Sequence, residues 1–93
     1  MEHGRKTVLA RVTGQVQGVG FRFWTRSEAE KLGLTGWVRN EADGSLTALM
    51  VGSEAAVSAM LENLWRGPPG AMVSSVTSEE TIVPGEAAFS ITG

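Results

Sequence analysis

The chain has 93 residues, a formal net charge of −2 at pH 7 and no cysteine. A length of this order predicts one domain, residues 1–93, with a small hydrophobic core. The absence of cysteine excludes a disulfide, a thiol nucleophile and a thiolate metal ligand, and the acidic balance argues against general nucleic-acid binding.

The first half of the chain predicts a strand, a helix, and two further strands joined by a turn. Side chains alternate with period 2 in the first strand, and apolar residues recur near helical spacing before Gly33, which ends the helix. The next two strands pair through a turn built on Asp43 and Gly44. The predicted bounds are 7–13, 34–40 and 46–51 for the strands and about 21–32 for the helix.

The second half predicts a helix followed by two strands. Ser53 is positioned to cap this helix, and Gly67 with the two prolines after it ends the helix. Its apolar residues follow the i, i+3, i+4, i+7 pattern of a helix with one buried face. They are Val57, Met60, Leu61 and Leu64. A fourth strand is predicted over 71–83 and a short closing strand over 87–93.

The order β-α-β-β-α-β with a small addition predicts an α+β fold, the ferredoxin-like split β-α-β sandwich. In this arrangement two helices cover one face of a mainly antiparallel sheet of four to five strands. The fold alone does not name a function, because it serves many.

A glycine-rich loop separates the first strand from the first helix. The segment GQVQGVGFR places glycines at 14, 18 and 20 before a helix start, where unpaired N–H groups and the helix dipole favour an anion. Glycine permits backbone angles that turn several N–H groups inward, and such a nest fits a phosphate. The spacing matches neither of the common nucleotide-binding loops. The loop is therefore either an anion site or a tight turn with nothing bound.

Arg22 favours the anion site. Residues 1–43 hold seven Lys/Arg against five Asp/Glu, whereas residues 44–93 hold one against five. Arg22 falls in the first helical turn, where the dipole favours an acidic residue, and its planar guanidinium matches phosphate. Such a local misfit often marks a functional site. The alternative is a solvated surface arginine.

Asn40 is the second polar residue of interest. It ends the second predicted strand, and in a βαβ unit that end lies near the end of the first strand. Asn40 would then stand beside the glycine loop. Its alternative role is to start the turn at Asp43 and Gly44.

With both segments in place, the chain resembles the acylphosphatases, small ferredoxin-like enzymes that hydrolyse carboxyl-phosphate anhydrides. The resemblance rests on GQVQGVGFR at 14–22 and GWVRNEADGS at 36–45, and more loosely on GPPGAMV at 67–73 and the closing FSI. It covers nearly the whole chain. Thr47 and Met72 stand where acidic or charged residues are common in the family, which bears on substrate preference and surface charge.

The resemblance implies a binding loop and two catalytic residues. The loop would bind the phosphate of a small acyl phosphate through backbone N–H groups, Arg22 would ligate it, and Asn40 would position the attacking water. Inorganic phosphate, the product, would compete for the same loop. The loop comprises Gln15, Val16, Gln17, Gly18, Val19, Gly20 and Phe21.

The available side chains suit this reaction. The only histidine is His3, near the amino end, and no acidic cluster has the spacing of a Mg²⁺ or two-metal site, so we expect neither a metal nor another cofactor. N–H groups, one arginine and one asparagine can hold phosphate and orient water but cannot readily protonate a poor leaving group. A carboxylate needs no such help, because its acid has a pKa of about 4.

Two other functions are compatible with parts of the sequence. One is a catalytically silent, phosphate- or anion-binding regulatory domain of the same fold. The other is an RNA-recognition sheet, which would need a Gly-Phe-rich strand signature that the chain lacks. No segment suits a signal peptide or reaches the roughly 20 apolar residues of a membrane span. We therefore expect a cytoplasmic protein that binds neither nucleic acid nor membrane, and the lack of a long apolar surface helix favours a monomer.

Overall fold

The computed structural model describes residues 5–82 and 88–92, which form five strands and two helices. The order of these elements along the chain confirms the predicted β-α-β-β-α-β arrangement with a short closing strand. The elements are β1 (Arg5–Gln15), α1 (Phe21–Lys31), β2 (Thr35–Asn40), β3 (Leu46–Ser53), α2 (Glu54–Arg66), β4 (Met72–Glu80) and β5 (Phe89–Thr92).

The strands differ from their predicted bounds by two or more residues in β1, β3 and β4, and β2 begins one residue later than predicted; β3 extends past residue 51 to Ser53. β1 is longer, because it lies between β3 and β4 and pairs along its length, from Arg5 opposite Ser53 to Gln15 opposite Met72. β4 is shorter and ends at Glu80, the partner of Val8 in β1. The predicted fourth strand ran to 83 and the closing strand over 87–93; positions 83, 87 and 93 lie outside the described residues.

The strands form one sheet in the order β4-β1-β3-β2-β5. Neighbouring strands are antiparallel except for β2 and β5, which are parallel. Because β1 and β2 both run antiparallel to β3, their carboxyl ends meet at the same edge of the sheet. Val12 of β1 and Asn40 of β2 both lie opposite Leu46 of β3. With strands about 4.8 Å apart, these two positions are separated by roughly 10 Å.

Both helices contribute to a core on one face of the sheet, as predicted. α1 packs on β2 and β5, while α2 packs on β1, β3 and β4. Ser53 caps α2, its hydroxyl accepting from the Ala56 N–H at 3.1 Å. The core side chains recur at the predicted periods of the strands and helices. They include Val8, Ala10 and Val12 of β1, Phe21 and Ala29 of α1, and Val57, Met60 and Leu64 of α2.

The tryptophans of the two helices differ in exposure. Trp24 packs edge-on against Phe21, with ring centroids 5.4 Å apart. Trp65 follows the buried Leu64 on α2 and is 53% exposed. No helix in residues 5–82 or 88–92 is both long and apolar enough to cross a membrane.

Candidate functional site

The glycine loop is held at both ends by buried apolar side chains. Val16 follows β1 and Phe21 begins α1, and each is only 1% exposed. Between them, Gln17, Gly18 and Gly20 are exposed. Within the described residues, no peptide N–H from 16 to 20 donates a hydrogen bond. The loop therefore offers a row of free donors at the edge of the sheet.

The start of α1 extends this row of donors. Gly20 is its N-cap residue, in the left-handed conformation at φ 76°, and no side chain caps the helix. The first turn contains no acidic residue, and the first intrahelical bond is Trp24 N–H to the Gly20 carbonyl at 3.0 Å. The N–H groups of residues 21–23 consequently lack intrahelical partners, as at any helix start. Free donors and the positive end of the helix dipole together favour an anion here.

The glycines of the predicted nest do not all belong to the loop. Gly14 was predicted to take part, and this is wrong: it lies inside β1, at a bulge where the register with β4 shifts. A Cβ there would clash with the Met72 carbonyl oxygen, so the position serves close strand packing. Gly18, at φ 79°, and Gly20 both have the left-handed conformation. The space around them is open, because a Cβ at either position would meet no atom within 4 Å.

Gln17 connects the loop to the turn between β2 and β3. Its side-chain amide donates to the carbonyl oxygens of Glu41, at 2.9 Å, and Ser45, at 3.0 Å. Glu41 directly follows Asn40, so this contact brings the loop and the end of β2 together. The predicted proximity of loop and Asn40 agrees with this arrangement.

Asn40 carries an unpaired polar atom. Its partner across the sheet is Leu46, a core residue, so both side chains lie on the helix-covered face. The Asn40 Oδ1 atom is buried and has no hydrogen-bond partner within the described residues. Buried acceptors are nearly always paired, because leaving one unpaired costs about 1 to 3 kcal/mol. Asn40 Oδ1 is thus available to a small polar ligand.

The turn itself closes without the Asn40 side chain. Glu41 N–H donates to the Ser45 carbonyl at 2.8 Å, and Gly44 N–H donates to the Glu41 carbonyl at 3.1 Å. Asp43 supplies the side-chain contacts, its Oδ1 accepting from the Ser45 N–H at 2.9 Å. The turn-starting role considered for Asn40 therefore has no support.

Arg22 differs from other arginines near the site in having no acidic partner. Arg11 pairs with Asp43, and Arg39 pairs with Glu41 at 2.8 Å. The Arg22 side chain is half-buried and makes no ion pair or side-chain hydrogen bond within the described range. Its guanidinium is therefore available to an anion bound at the start of α1.

Asp43 is the most perturbed acid of the turn. The Ser45 hydroxyl, donating at 2.6 Å, then the Ser45 N–H and finally Arg11 together lower the pKa of Asp43 to about 2. The hydrogen bond that Arg39 donates to Glu41 likewise lowers the pKa of the Glu41 carboxyl. Both carboxylates remain charged at neutral pH, which keeps the turn fixed beside Asn40.

These contacts predict how stability varies in acid. Because the pKa of Asp43 is lower in the folded protein, its contribution is present above pH 4 and is lost as pH falls towards 2. We expect Asp43→Asn to unfold at a lower temperature than the wild type at pH 5 and to approach it at pH 2. Thermal unfolding at pH 2, 3, 4 and 5 measures this. A constant difference across the range would contradict it.

Sequence reasoning missed the side-chain role of Gln17 and the Arg11 contact. A partial signal existed for Asp43, because aspartate two residues before serine is typical of a turn closed by its own side chain. No cluster of three or more His, Cys, Asp or Glu suited to a metal occurs within 5–82 and 88–92, and His3 lies outside them. The loop N–H groups and Arg22 can bind an oxyanion, and the side-chain amide of Asn40 would lie near that anion.

Comparison with known proteins identifies close relatives. The acylphosphatase family model matches residues 8–91. A curated acylphosphatase of Sinorhizobium medicae is 60% identical over 93 residues, which cover 99% of each chain. The solved acylphosphatase of Coxiella burnetii superposes with a TM-score of 0.92 at 38% identity, over 96% of this chain and 94% of that one. The Bacillus subtilis acylphosphatase gives 0.91 at 36% identity, over 94% and 98%.

Proposed function

The chain belongs to the acylphosphatase family, enzymes that act on acyl phosphates, and from this premise we propose how its residues divide the reaction. The loop from Gln15 to Phe21 binds the phosphate of the substrate, Arg22 ligates it, and Asn40 orients the water that attacks phosphorus. The products are a carboxylate and inorganic phosphate. The observation that carries this proposal is the run of unpaired N–H groups over 16–23 beside the buried, unpaired Asn40 oxygen.

Phosphate binding follows from the donors at the start of α1. Backbone N–H groups hold the phosphate oxygens, and the planar guanidinium of Arg22 adds charge-assisted bonds. Since phosphoryl transfer requires little covalent participation from the protein, positioning and charge stabilisation supply most of the catalysis. These are the contributions that a rigid loop and a free arginine can make.

Water activation is assigned to Asn40. An amide both accepts and donates hydrogen bonds, so it can fix a water in line with the leaving oxygen, yet it is too weak a base to remove a proton. The proton passes to a phosphate oxygen of the substrate. The carboxylate leaves without protonation, because its acid has a pKa of about 4. Because the site has no acid to protonate a poorer leaving group, its substrates are restricted to acyl phosphates.

One assay tests the proposed reaction. The purified protein is offered acetyl phosphate and, separately, an alkyl phosphate monoester, each with and without EDTA. We expect hydrolysis of the acyl phosphate alone, unaffected by EDTA and competitively inhibited by inorganic phosphate. Activity lost in EDTA and restored by Mg²⁺ would contradict the mechanism. Phosphate binding without turnover would instead favour the silent regulatory domain.

The left-handed glycines predict a selective binding defect. Gly18→Val forces a β-branched residue into a conformation that costs about 1 to 3 kcal/mol, so the loop relaxes and loses its donor arrangement. Gly33→Val is a matched control, because Gly33 has a similar φ of 73° and equally open space, but lies after α1. We expect similar losses in the free energy of unfolding and weaker phosphate binding only in Gly18→Val. Equal phosphate affinity in both variants would contradict the nest.

A further inference from the structure

We propose that the side chain of Gln17 is a positioning residue, a clamp that holds the phosphate loop in its binding conformation against the β2–β3 turn. This role differs from the backbone contribution assigned to residue 17 above. It rests on the proposed function, since it concerns the same loop. The clamp consists of the Gln17 amide and the two carbonyl groups that it bridges, those of Glu41 and Ser45.

The loop depends on this clamp because it has almost no other hydrogen bonds. Within the described residues, no N–H from 16 to 20 is paired, and among the loop carbonyls the Gly20 oxygen accepts the first bond of α1. For residues 16–20, the tertiary hydrogen bonds within the described part of the chain are the two that the Gln17 side chain donates. Val16 and Phe21 hold the ends in the core, but between them two glycines leave the backbone free to move.

The acceptors of the clamp are themselves well fixed. The Ser45 carbonyl already accepts from Glu41 N–H and the Glu41 carbonyl from Gly44 N–H, so Gln17 occupies the remaining acceptor site on each oxygen. Asp43 braces the same turn through the Ser45 N–H, the Ser45 hydroxyl and Arg11. The loop is therefore tied to the segment that directly follows Asn40.

This geometry predicts an effect on binding rather than on the chemical step. Without the clamp, the loop adopts its binding conformation for only a fraction of the time, and the apparent affinity falls by that fraction. Once phosphate is bound, the ligand itself orders the loop. The value of KM should rise in parallel with the dissociation constant of inorganic phosphate, while kcat at saturation is retained.

The test compares Gln17→Met with Glu30→Met, an exposed position at the other end of α1. Loss of two hydrogen bonds should weaken inorganic phosphate binding about 5- to 30-fold in Gln17→Met, with kcat changed less than about threefold. Glu30→Met should bind as the wild type does. Gln17→Asn, which keeps the amide but is one methylene shorter, should also bind more weakly. Wild-type affinity in both Gln17 variants would overturn the proposal.

A second measurement tests the link to the turn. Asp43→Ala should weaken phosphate binding in the wild-type background but have little further effect in Gln17→Met, because both changes act through one contact. Fully additive effects would overturn the clamp. A wrong assignment of the phosphate site itself would give a different result: the wild type would bind no phosphate, or Arg22→Ala would bind it normally. A defect in Arg22→Ala with normal Gln17 variants overturns the clamp alone.

Discussion

Replacing Asn40 with alanine is expected to lower kcat for acyl phosphate hydrolysis at least about 100-fold, as for other preorganised catalytic donors. A residue that only orients water contributes mainly to the barrier and little to ground-state binding. The affinity for inorganic phosphate should therefore change little. Removing the amide also removes the unpaired buried oxygen, so the free energy of unfolding should not fall greatly.

The control for this variant is Asn63→Ala. Asn63 lies on α2, where its side chain accepts a hydrogen bond from Arg66 at 3.0 Å, and it has no place in the proposed mechanism. We expect this variant to turn over at the wild-type rate. Near-normal turnover by Asn40→Ala, measured on folded protein, would remove Asn40 from the chemical step.

Replacing Arg22 with alanine is expected to impair both binding and turnover. A lost charge-assisted contact is worth about 1.5 to 3 kcal/mol, which corresponds to roughly a 10- to 150-fold weaker affinity for inorganic phosphate. Turnover should also slow, because the same contact stabilises charge in the transition state. Arg22→Lys should restore little, since a point charge cannot reproduce the planar pair of donors.

Arg26→Ala provides the matched control on the same helix. Arg26 lies one turn after Arg22, and its guanidinium stacks over the Phe23 ring at 5.6 Å. Loss of this arginine changes the net charge equally but should leave phosphate affinity within about twofold, as expected for a screened surface charge. Equal defects in the two variants would mean that general positive charge, not ligation by Arg22, favours the anion.

Periodicity made much of the fold predictable. Alternation in β1 and the i, i+3, i+4, i+7 pattern of α2 are local signals, and both elements form at these segments, although β1 extends beyond the predicted 7–13 at both ends. The glycine loop and its helix start were also predictable, because left-handed glycines and free N–H groups are properties of the local backbone. The split β-α-β order then placed Asn40 at the same sheet edge.

Features that depend on distant pairing were not predictable from the sequence. The sequence pattern assigns Gly14 to the loop, but the close approach of Met72 from β4 determines its conformation. The bonds from Gln17 span 24 and 28 residues and depend on carbonyl groups, which every residue possesses. No residue type marks such an acceptor. Nor does any residue type show that the Glu41 and Ser45 carbonyls can each accept a second hydrogen bond, the one from Gln17.

The division of work between Arg22 and Asn40 is tested most directly by titrating inorganic phosphate into the wild type and the two alanine variants, with kcat measured on the same preparations. We predict that Arg22→Ala loses phosphate affinity and turnover together, whereas Asn40→Ala binds phosphate nearly as the wild type does and loses turnover. Tight binding with normal turnover in Asn40→Ala would contradict the account, as would unchanged phosphate affinity in Arg22→Ala.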